Sequence, residues 1–325
     1  MKAPLDHIVV LGAGAIGAWI GGQWAAAGLP VTLIGRTKTV AQLGQGYTIA
    51  GQRVHPEVTD QPSALASASL IVLTVRSTDI DEAVATLRGH ARPGTPVLSL
   101  LNGISPAERI AAALPEFEVI RGMVPYNIVW TSDAALHQQS TGRITVGMNP
   151  ATEALREAAP GLLTVRDPIE PVLWGKLLLN LNNPINALSG IDLHAQLSQR
   201  GYRRIYAAVL REALSVLDRA GLKPAQVAAV PPHRAARALG LPDWLFNRFV
   251  LPRQNISPGA MASMARDLAA GRPTEIETLN GDIVRLATAH GHSAPINAKL
   301  VALVREAETS GRRYSAAALA IALDL

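Results

Sequence analysis

The chain has 325 residues, room for two domains at roughly 100–200 residues each, and its 48% hydrophobic against 17% charged residues is enough for packed cores and excludes wholesale disorder. The absence of cysteine removes disulfides, thiolate nucleophiles, cysteine-held zinc and iron–sulfur clusters. The net charge of +5 comes from scattered basic residues, densest at Arg200–Arg204 and Arg312-Arg313, so the expectation is solvated helix faces, no nucleic-acid partner, and at most a field that steers a small anion.

In chain order, His7–Leu11 predicts a short strand ending in glycine, Ala15–Ala27 a helix, Val31–Ile34 a strand, and Leu70–Val75 a strand without polar interruption. Asp79–Leu87 reads as a helix, Val97–Leu101 as a strand, Pro106–Leu114 as a helix and Glu118–Met123 as a strand. Continuously apolar strands separated by helices imply a mostly parallel sheet covered on both faces. Further on, Ala134–Ser140 and Arg143–Gly147 flank Thr141-Gly142 like a hairpin, and Leu162–Val165 reads as one more strand. The prolines of Asp167-Pro168-Ile169-Glu170-Pro171 punctuate the chain. Beyond them the period is helical, with breaks expected at Gly190, Gly201, Gly221–Pro224, Pro231-Pro232, Gly271–Pro273 and Gly291. The expected architecture is α/β: a Rossmann-like domain over 1–169 and an all-α domain over 170–325. No apolar stretch nears the roughly 18 residues of a membrane span, and no signal-peptide pattern opens the sequence, so the expected location is the cytoplasm, with no membrane partner.

Gly12-Ala13-Gly14-Ala15-Ile16-Gly17 follows the first strand and opens the first helix. There Gly12 permits a tight turn, Gly14 lets backbone approach a pyrophosphate, and Gly17 lets helix and strand pack closely, while the helix N-terminus offers N–H groups to phosphate. An acid at the tip of the second strand would accept ribose hydroxyls. Gly35-Arg36-Thr37-Lys38 stands there instead, a cationic tip suited to a 2′-phosphate, so NADPH is the expected cofactor. No tyrosine is followed four residues later by lysine, which excludes short-chain dehydrogenase chemistry, and there is no His-Glu-x-x-His, Gly-x-Ser-x-Gly or Walker lysine. His290 and His292 lack companion ligands at helical spacing, so no metal is expected.

In the second half, Lys176, Asn180 and Asn183 fall at i, i+4 and i+7, on one predicted helical face flanked by leucines. Pro184 ends or kinks that helix. Periodicity leaves two readings equal: a polar functional stripe, or asparagines that satisfy backbone at the kink while Lys176 reaches solvent. Farther on, Thr274 and Glu277 are spaced as a capping box, which places Glu275 in a first helical turn.

The N-terminal glycine motif, the Leu101-Asn102-Gly103 turn, Trp174-Gly175-Lys176 followed by Asn180, and Ser263-Met264-x-x-Asp267 leading to Thr274-Glu275-Ile276 together resemble the ketopantoate reductase family, over residues 7 to about 305. The resemblance implies NADPH on the first domain and a small anionic 2-keto acid in the cleft between domains, ketopantoate (2-dehydropantoate) first, with another ketone, a ketolactone or an imine as the alternative. It implies that Lys176 is the general acid toward the ketone oxygen and that Glu275 binds the substrate hydroxyl and keeps that lysine charged. Asn180 and Ser263 match substrate-binding positions, Asn102 meets cofactor and substrate, Arg36 meets the 2′-phosphate, and Arg76 lies near the adenosine end. The Asn183-Pro184 pair comes one residue earlier than the family pattern, so either Asn183 or Asn182 serves the substrate. The aromatic segment 231–258, with Trp244, Phe246 and Phe249, lines the pocket or makes a homodimer contact through the helical domain.

Overall fold

The computed structural model describes residues 5–132, 134–139, 141–228, 230–254, 256–257 and 259–325. The chain divides into two compact units, 1–169 and 170–325. The first unit holds β1 (Ile8–Leu11), α1 (Ala15–Ala26), β2 (Val31–Ile34), α2 (Thr37–Leu43), β3 (Tyr47–Ile49), β4 (Gln52–Val54), β5 (Glu57–Thr59), β6 (Leu70–Leu73), α3 (Ile80–His90), β7 (Val97–Ser99), α4 (Ser105–Ala113), β8 (Val119–Met123), β9 (Ile128–Ser132), β10 (Ala135–Gln138), β11 (Ile144–Gly147), α5 (Pro150–Ala158) and β12 (Leu163–Arg166).

The large sheet has the order β12-β11-β8-β7-β6-β1-β2-β5. From β5 through β8 all pairs are parallel; β8 and β11 run antiparallel, and β11 and β12 parallel. Alternate residues of β1 serve different cores. Ile8 and Val10 pack with Trp19 and Ile20 of α1, while Val9 and Leu11 pack with Leu65, Ile80 and Ile110 on the other face. That two-sided burial is why the strand is apolar at every position. β1 lies between β2 and β6, so the chain leaves it in one direction and returns on the other side. At such a switch point the loops after the strand ends part and leave a crevice for a ligand.

The hairpin expected around Thr141-Gly142 does not form. β10 joins β9 and β3 in a separate sheet of order β4-β3-β10-β9, whereas β11 pairs with β8 and β12 in the large one. The physical reason is burial. Ile144 and Val146 belong to the core beneath the large sheet, and pairing β11 with β10 would strip them from it. Ser140, the expected end of the first arm, lies outside the described residues. The sequence reading also lacked α2, β3 to β5, β9 and α5. β3, β4 and β5 are three residues each, too short for a period to show. α5 did carry a local signal: Asn149 caps it, accepting from Ala151 N–H at 2.9 Å, and Pro150 occupies its first turn.

The second unit contains α6 (Glu170–Asn180), α7 (Asn183–Ser189), α8 (Leu193–Ser198), α9 (Arg200–Arg219), α10 (Pro232–Ala238), α11 (Asp243–Phe249), α12 (Ser263–Ala269), α13 (Asn280–Ala289), α14 (Pro295–Ser310) and α15 (Ala316–Ala322). α9 is the axis of the unit: α7, α8, α10, α13, α14 and α15 all pack against it. Tyr202, Ile205, Val209, Ala213, Val216 and Leu217 form its buried stripe at helical spacing. Gly201, expected as a break, sits inside the first turn of α9. Arg203 departs from the solvated reading of Arg200–Arg204. It is fully buried and donates to the carbonyls of Leu197, Ser198, Leu239 and Leu241 at 2.7–3.2 Å. It also pairs with Asp243 at 2.9 Å and lies over the Phe246 ring at 4.1 Å. One charged residue thus satisfies the carbonyl ends that α8 and α10 leave open. Of the other aromatics in the 231–258 segment, Trp244 is 71% and Phe249 47% exposed. Pro258, at its end, lies outside the described residues. Among the described residues no helix is long and apolar enough to cross a membrane.

Candidate active site

In the first unit, the nucleotide-binding residues named from sequence lie beyond the C-terminal ends of the parallel strands. Gly12 follows β1 at φ +111°, and a side chain there would meet the backbone of Thr74 and Val75 at under 3 Å. Gly17 is as tightly held: an added Cβ would lie 2.2 Å from the Gly12 carbonyl oxygen. Thr74, missed in the sequence reading, donates its hydroxyl to that same oxygen at 2.7 Å and so ties the turn to the end of β6. Gly14 is the opposite case. It is exposed, it begins α1, and a Cβ on it meets no atom within 4 Å. No side chain caps α1, and no acid stands in its first turn, where Ala15 and Ile16 lie. The cradle therefore fits a pyrophosphate: two glycines hold the turn shut, the third leaves its mouth open, and the helix end faces it with uncapped N–H groups. We expect Gly14→Ala to fold normally and to weaken dinucleotide binding roughly tenfold, because a methyl group enters the approach path of the phosphates. Unchanged affinity in a calorimetric titration would place the nucleotide elsewhere.

Arg36 follows β2 and precedes α2 with its side chain 82% exposed. Arg76 follows β6, and both guanidinium groups approach Asp79, at 3.8 and 3.4 Å. Ala13, behind the turn, is buried. Asn102 lies half-buried in the turn after β7, next to Gly103 at φ +95°.

In the second unit, the expected single helical face is broken. α6 ends at Asn180, the chain turns through 181–182, and α7 begins at Asn183 with Pro184 in its first turn. The helix stops there because four asparagines within seven residues lower its propensity and Pro184 has no N–H to continue it. The break sorts the amides. Asn182 is buried in a reciprocal pair with Gln196: its Nδ2 donates at 3.2 Å and its Oδ1 accepts at 2.9 Å. Asn186 is fully buried, donates to the Ile191 carbonyl at 2.9 Å and accepts from Ala262 N–H at 3.0 Å. It thereby fixes the start of α12, whose first residue is Ser263. The side chains of Asn180, Asn183 and Ser263 have no hydrogen-bond partner among the described residues. Their polar ends are available to a ligand, whereas those of Asn182 and Asn186 are occupied.

Lys176 sits on α6 among the buried Leu173, Trp174, Leu177 and Leu178. Neighbouring Gly175 permits this packing, since a Cβ there would lie 2.3 Å from the Ala225 carbonyl oxygen. The residue as a whole is half-buried, but the ammonium itself is desolvated, and burial pushes its pKa down to about 8. Among the described residues no hydrogen bond or ion pair reaches it. The expected pairing with Glu275 is absent: burial is the cause of the shift, and no carboxylate opposes it. The capping box is not formed either. Thr274 donates its hydroxyl and its N–H to Glu308 at 2.7 and 2.8 Å, while Glu277 turns to Arg305 at 2.5 Å. A single turn of 3₁₀ helix follows Glu275 over Ile276–Thr278. Glu308, on α14, is thus what pins the loop carrying Glu275. It lies 34 residues from Thr274, so no local pattern could have shown it.

Comparison with known proteins adds the family. The Ketopantoate reductase PanE/ApbA model matches residues 8–151, and the model of its C-terminal domain matches residues 168–308. The 2-dehydropantoate 2-reductases of Pyrococcus horikoshii and Halobacterium salinarum are 29% and 26% identical, each over 94% of this chain and 98% and 100% of their own lengths. A PanE/ApbA family ketopantoate reductase from Ralstonia eutropha JMP134 superposes with a TM-score of 0.79 at 27% identity, covering 94% of this chain and 99% of that one. D-mandelate dehydrogenase, solved with NADH and anilino(oxo)acetate, shares the fold at 20% identity and a TM-score of 0.76 over 94% of this chain and 99% of that one. With both of its halves matched in order, the chain belongs to the ketopantoate reductase family and is a nicotinamide-dependent oxidoreductase acting on CH–OH groups.

Proposed function

We propose that the protein reduces 2-dehydropantoate to pantoate with NADPH, in the cytoplasm, and that Lys176 is the general acid. The observation that carries this reading is the partnerless, desolvated ammonium of Lys176 on the same helix as the unpartnered amide of Asn180. A buried cation without a counter-ion is costly, and a chain keeps one where an anionic ligand completes it. The bound cofactor supplies hydride to C2 of the keto acid. As the carbonyl oxygen gains charge, Lys176 stabilises it and delivers the proton that makes it a hydroxyl. Asn180, Asn183 and Ser263 supply the polar contacts that orient the substrate, and Glu275, placed by the Thr274–Glu308 anchor, accepts from its hydroxyl. The glycine turn, Arg36, Arg76 and Asn102 hold the cofactor.

The test is NADPH oxidation with 2-dehydropantoate beside ketopantolactone, aryl 2-keto acids, and keto acids plus ammonia. Highest kcat/KM on 2-dehydropantoate is the expected result. Turnover confined to aryl keto acids, or to the ammonia-dependent reaction, would replace the substrate while keeping the fold and cofactor.

Cofactor choice rests on Arg36, since the tip of β2 offers a cation and no acid to the ribose. Arg36→Ala is expected to lower the NADPH-to-NADH ratio of kcat/KM by about tenfold or more, the value of a charge-assisted hydrogen bond. A ratio unmoved by the substitution would remove the argument for NADPH. We also propose that the exposed Trp244 and Phe249 are covered in a homodimer through the helical unit; sedimentation of Trp244→Glu beside the unchanged protein tests it, with an unaltered mass as the contrary result.

A further inference from the structure

We propose that Asp79 sets the strength of cofactor selection in this enzyme, by partly neutralising the two arginines offered to the 2′-phosphate. The inference rests on the cofactor reading above. Asp79 is the only residue whose carboxylate is within ion-pair distance of both Arg36, at 3.8 Å, and Arg76, at 3.4 Å, among the described residues. It is also held by contacts that involve neither guanidinium group. Its N–H donates to the Arg76 carbonyl at 2.9 Å, and the Thr78 hydroxyl donates to its Oδ1 at 2.8 Å. It is the N-cap residue of α3, which sets its carboxylate 3.8 Å from Arg36 at the tip of β2. The other nearby acid, Asp60, is differently engaged, with its oxygens taken by Thr37 and Gln61 at 2.9 and 2.8 Å.

Neither arginine is saturated by Asp79. Arg36 stays 82% exposed at a distance beyond a hydrogen bond. Nη1 of Arg76 is shut off from solvent with no acceptor. Asp79 therefore does little to hold the guanidinium groups, and an exposed pair of this kind contributes little to the fold. What it does add is a negative charge within a few ångströms of where a phosphate dianion meets Arg36. That charge opposes the dianion and is indifferent to a ribose hydroxyl. The consequence is moderated discrimination: the arginines favour the phosphorylated cofactor, and the carboxylate limits by how much.

The test uses adenine nucleotides that carry or lack the 2′-phosphate, so that binding is read without turnover. Calorimetric titrations of the full-length enzyme with 2′,5′-ADP and 5′-AMP are compared for the unchanged protein, Asp79→Asn, Asp79→Glu and Arg36→Ala. The Asp79 side chain makes no capping hydrogen bond to α3, so asparagine removes the charge, keeps the shape and takes no cap from the helix. The expected result is that Asp79→Asn binds 2′,5′-ADP about three- to tenfold tighter, leaves 5′-AMP within about twofold, and loses its advantage at high salt. Asp79→Glu should stay near the unchanged protein. Weaker binding of 2′,5′-ADP by Asp79→Asn would make Asp79 a positioning group, and equal binding would leave it only a structural acid at a helix start; either overturns the inference. If Arg36→Ala and the unchanged protein bind 2′,5′-ADP alike, the cofactor reading itself fails, which is a separate outcome.

Discussion

Replacing Lys176 with methionine is expected to lower turnover at least about a hundredfold while making the helical unit more stable. The first effect follows if the proposed proton donor is removed, since general acid catalysis is worth roughly 10²–10⁴-fold. The second follows from burial. The folded protein lowers the Lys176 pKa from 10.5 to about 8. Folding therefore works against the charged form, and at neutral pH that costs about 3 kcal/mol. Methionine has a similar reach and no charge, so Lys176→Met should raise the midpoint of the helical unit by roughly 5 °C at pH 7. The gain is present in full below pH 8, shrinks as pH rises through the folded-state value toward 10.5, and vanishes above it. Near-normal turnover in the variant would dismiss Lys176 as the acid. A lower melting point would show that its ammonium has a partner when the protein is in solution.

The same lowered pKa fixes the pH profile. For reduction the lysine must carry its proton, so kcat/KM is expected to be flat below about pH 8 and to fall tenfold per unit above it. Oxidation of pantoate needs the neutral amine and should rise through the same region. The free enzyme sets that inflection. In the substrate complex the keto-acid carboxylate opposes the desolvation, and the inflection in kcat should move upward. A downward movement would mean that the carboxylate is bound away from this lysine.

The physics of each region explains what could be read from the chain alone. β1, the glycine turn and α1 were legible because their constraints are local: apolar runs, glycines at fixed offsets and an alanine-rich helix follow one another within twenty residues. The helical unit was legible as a set of helices and illegible as a site. Whether an asparagine binds a substrate or a neighbour depends on partners far along the chain. Gln196 takes Asn182, and Ala262, 76 residues from Asn186, takes that side chain. Thr274 had a nearer partner on paper in Glu277, and the folded chain gave it Glu308 instead. Arg203 is the clearest case: a residue in a basic run reads as solvated, and only the packing of α8, α10 and α11 around α9 puts it in the core. In the small sheet β3, β4 and β9 escaped for another reason, because strands of three to five residues carry too few positions to show a period, while β10 was legible as a strand and misread only in its partner.

Asn182 and Asn183, adjacent in sequence, should therefore behave as different kinds of residue. Asn182→Ala leaves the buried Gln196 amide without either of its bonds and opens a small void. Unsatisfied buried polar groups cost about 1–3 kcal/mol, so with the void a loss of about 2–3 kcal/mol is expected. That should appear as a lower melting temperature and a lower denaturant midpoint, with KM for the keto acid changed little in the fraction that folds. Asn183→Ala removes no bond within the protein. Its melting temperature should match the unchanged protein, and its KM for the keto acid should rise about tenfold, the value of one hydrogen bond to a charged ligand. Asn182→Asp separates burial from geometry: it keeps the shape, places a charge opposite the Gln196 carbonyl oxygen, and should be at least as destabilising as alanine at neutral pH. If the substrate effect fell on Asn182 and the stability effect on Asn183, the ligand-binding face of this turn would be the opposite one. The substrate-binding assignment of Asn180, at the end of α6, would then lose its support as well, because it rests on the same observation of a half-buried amide without a partner.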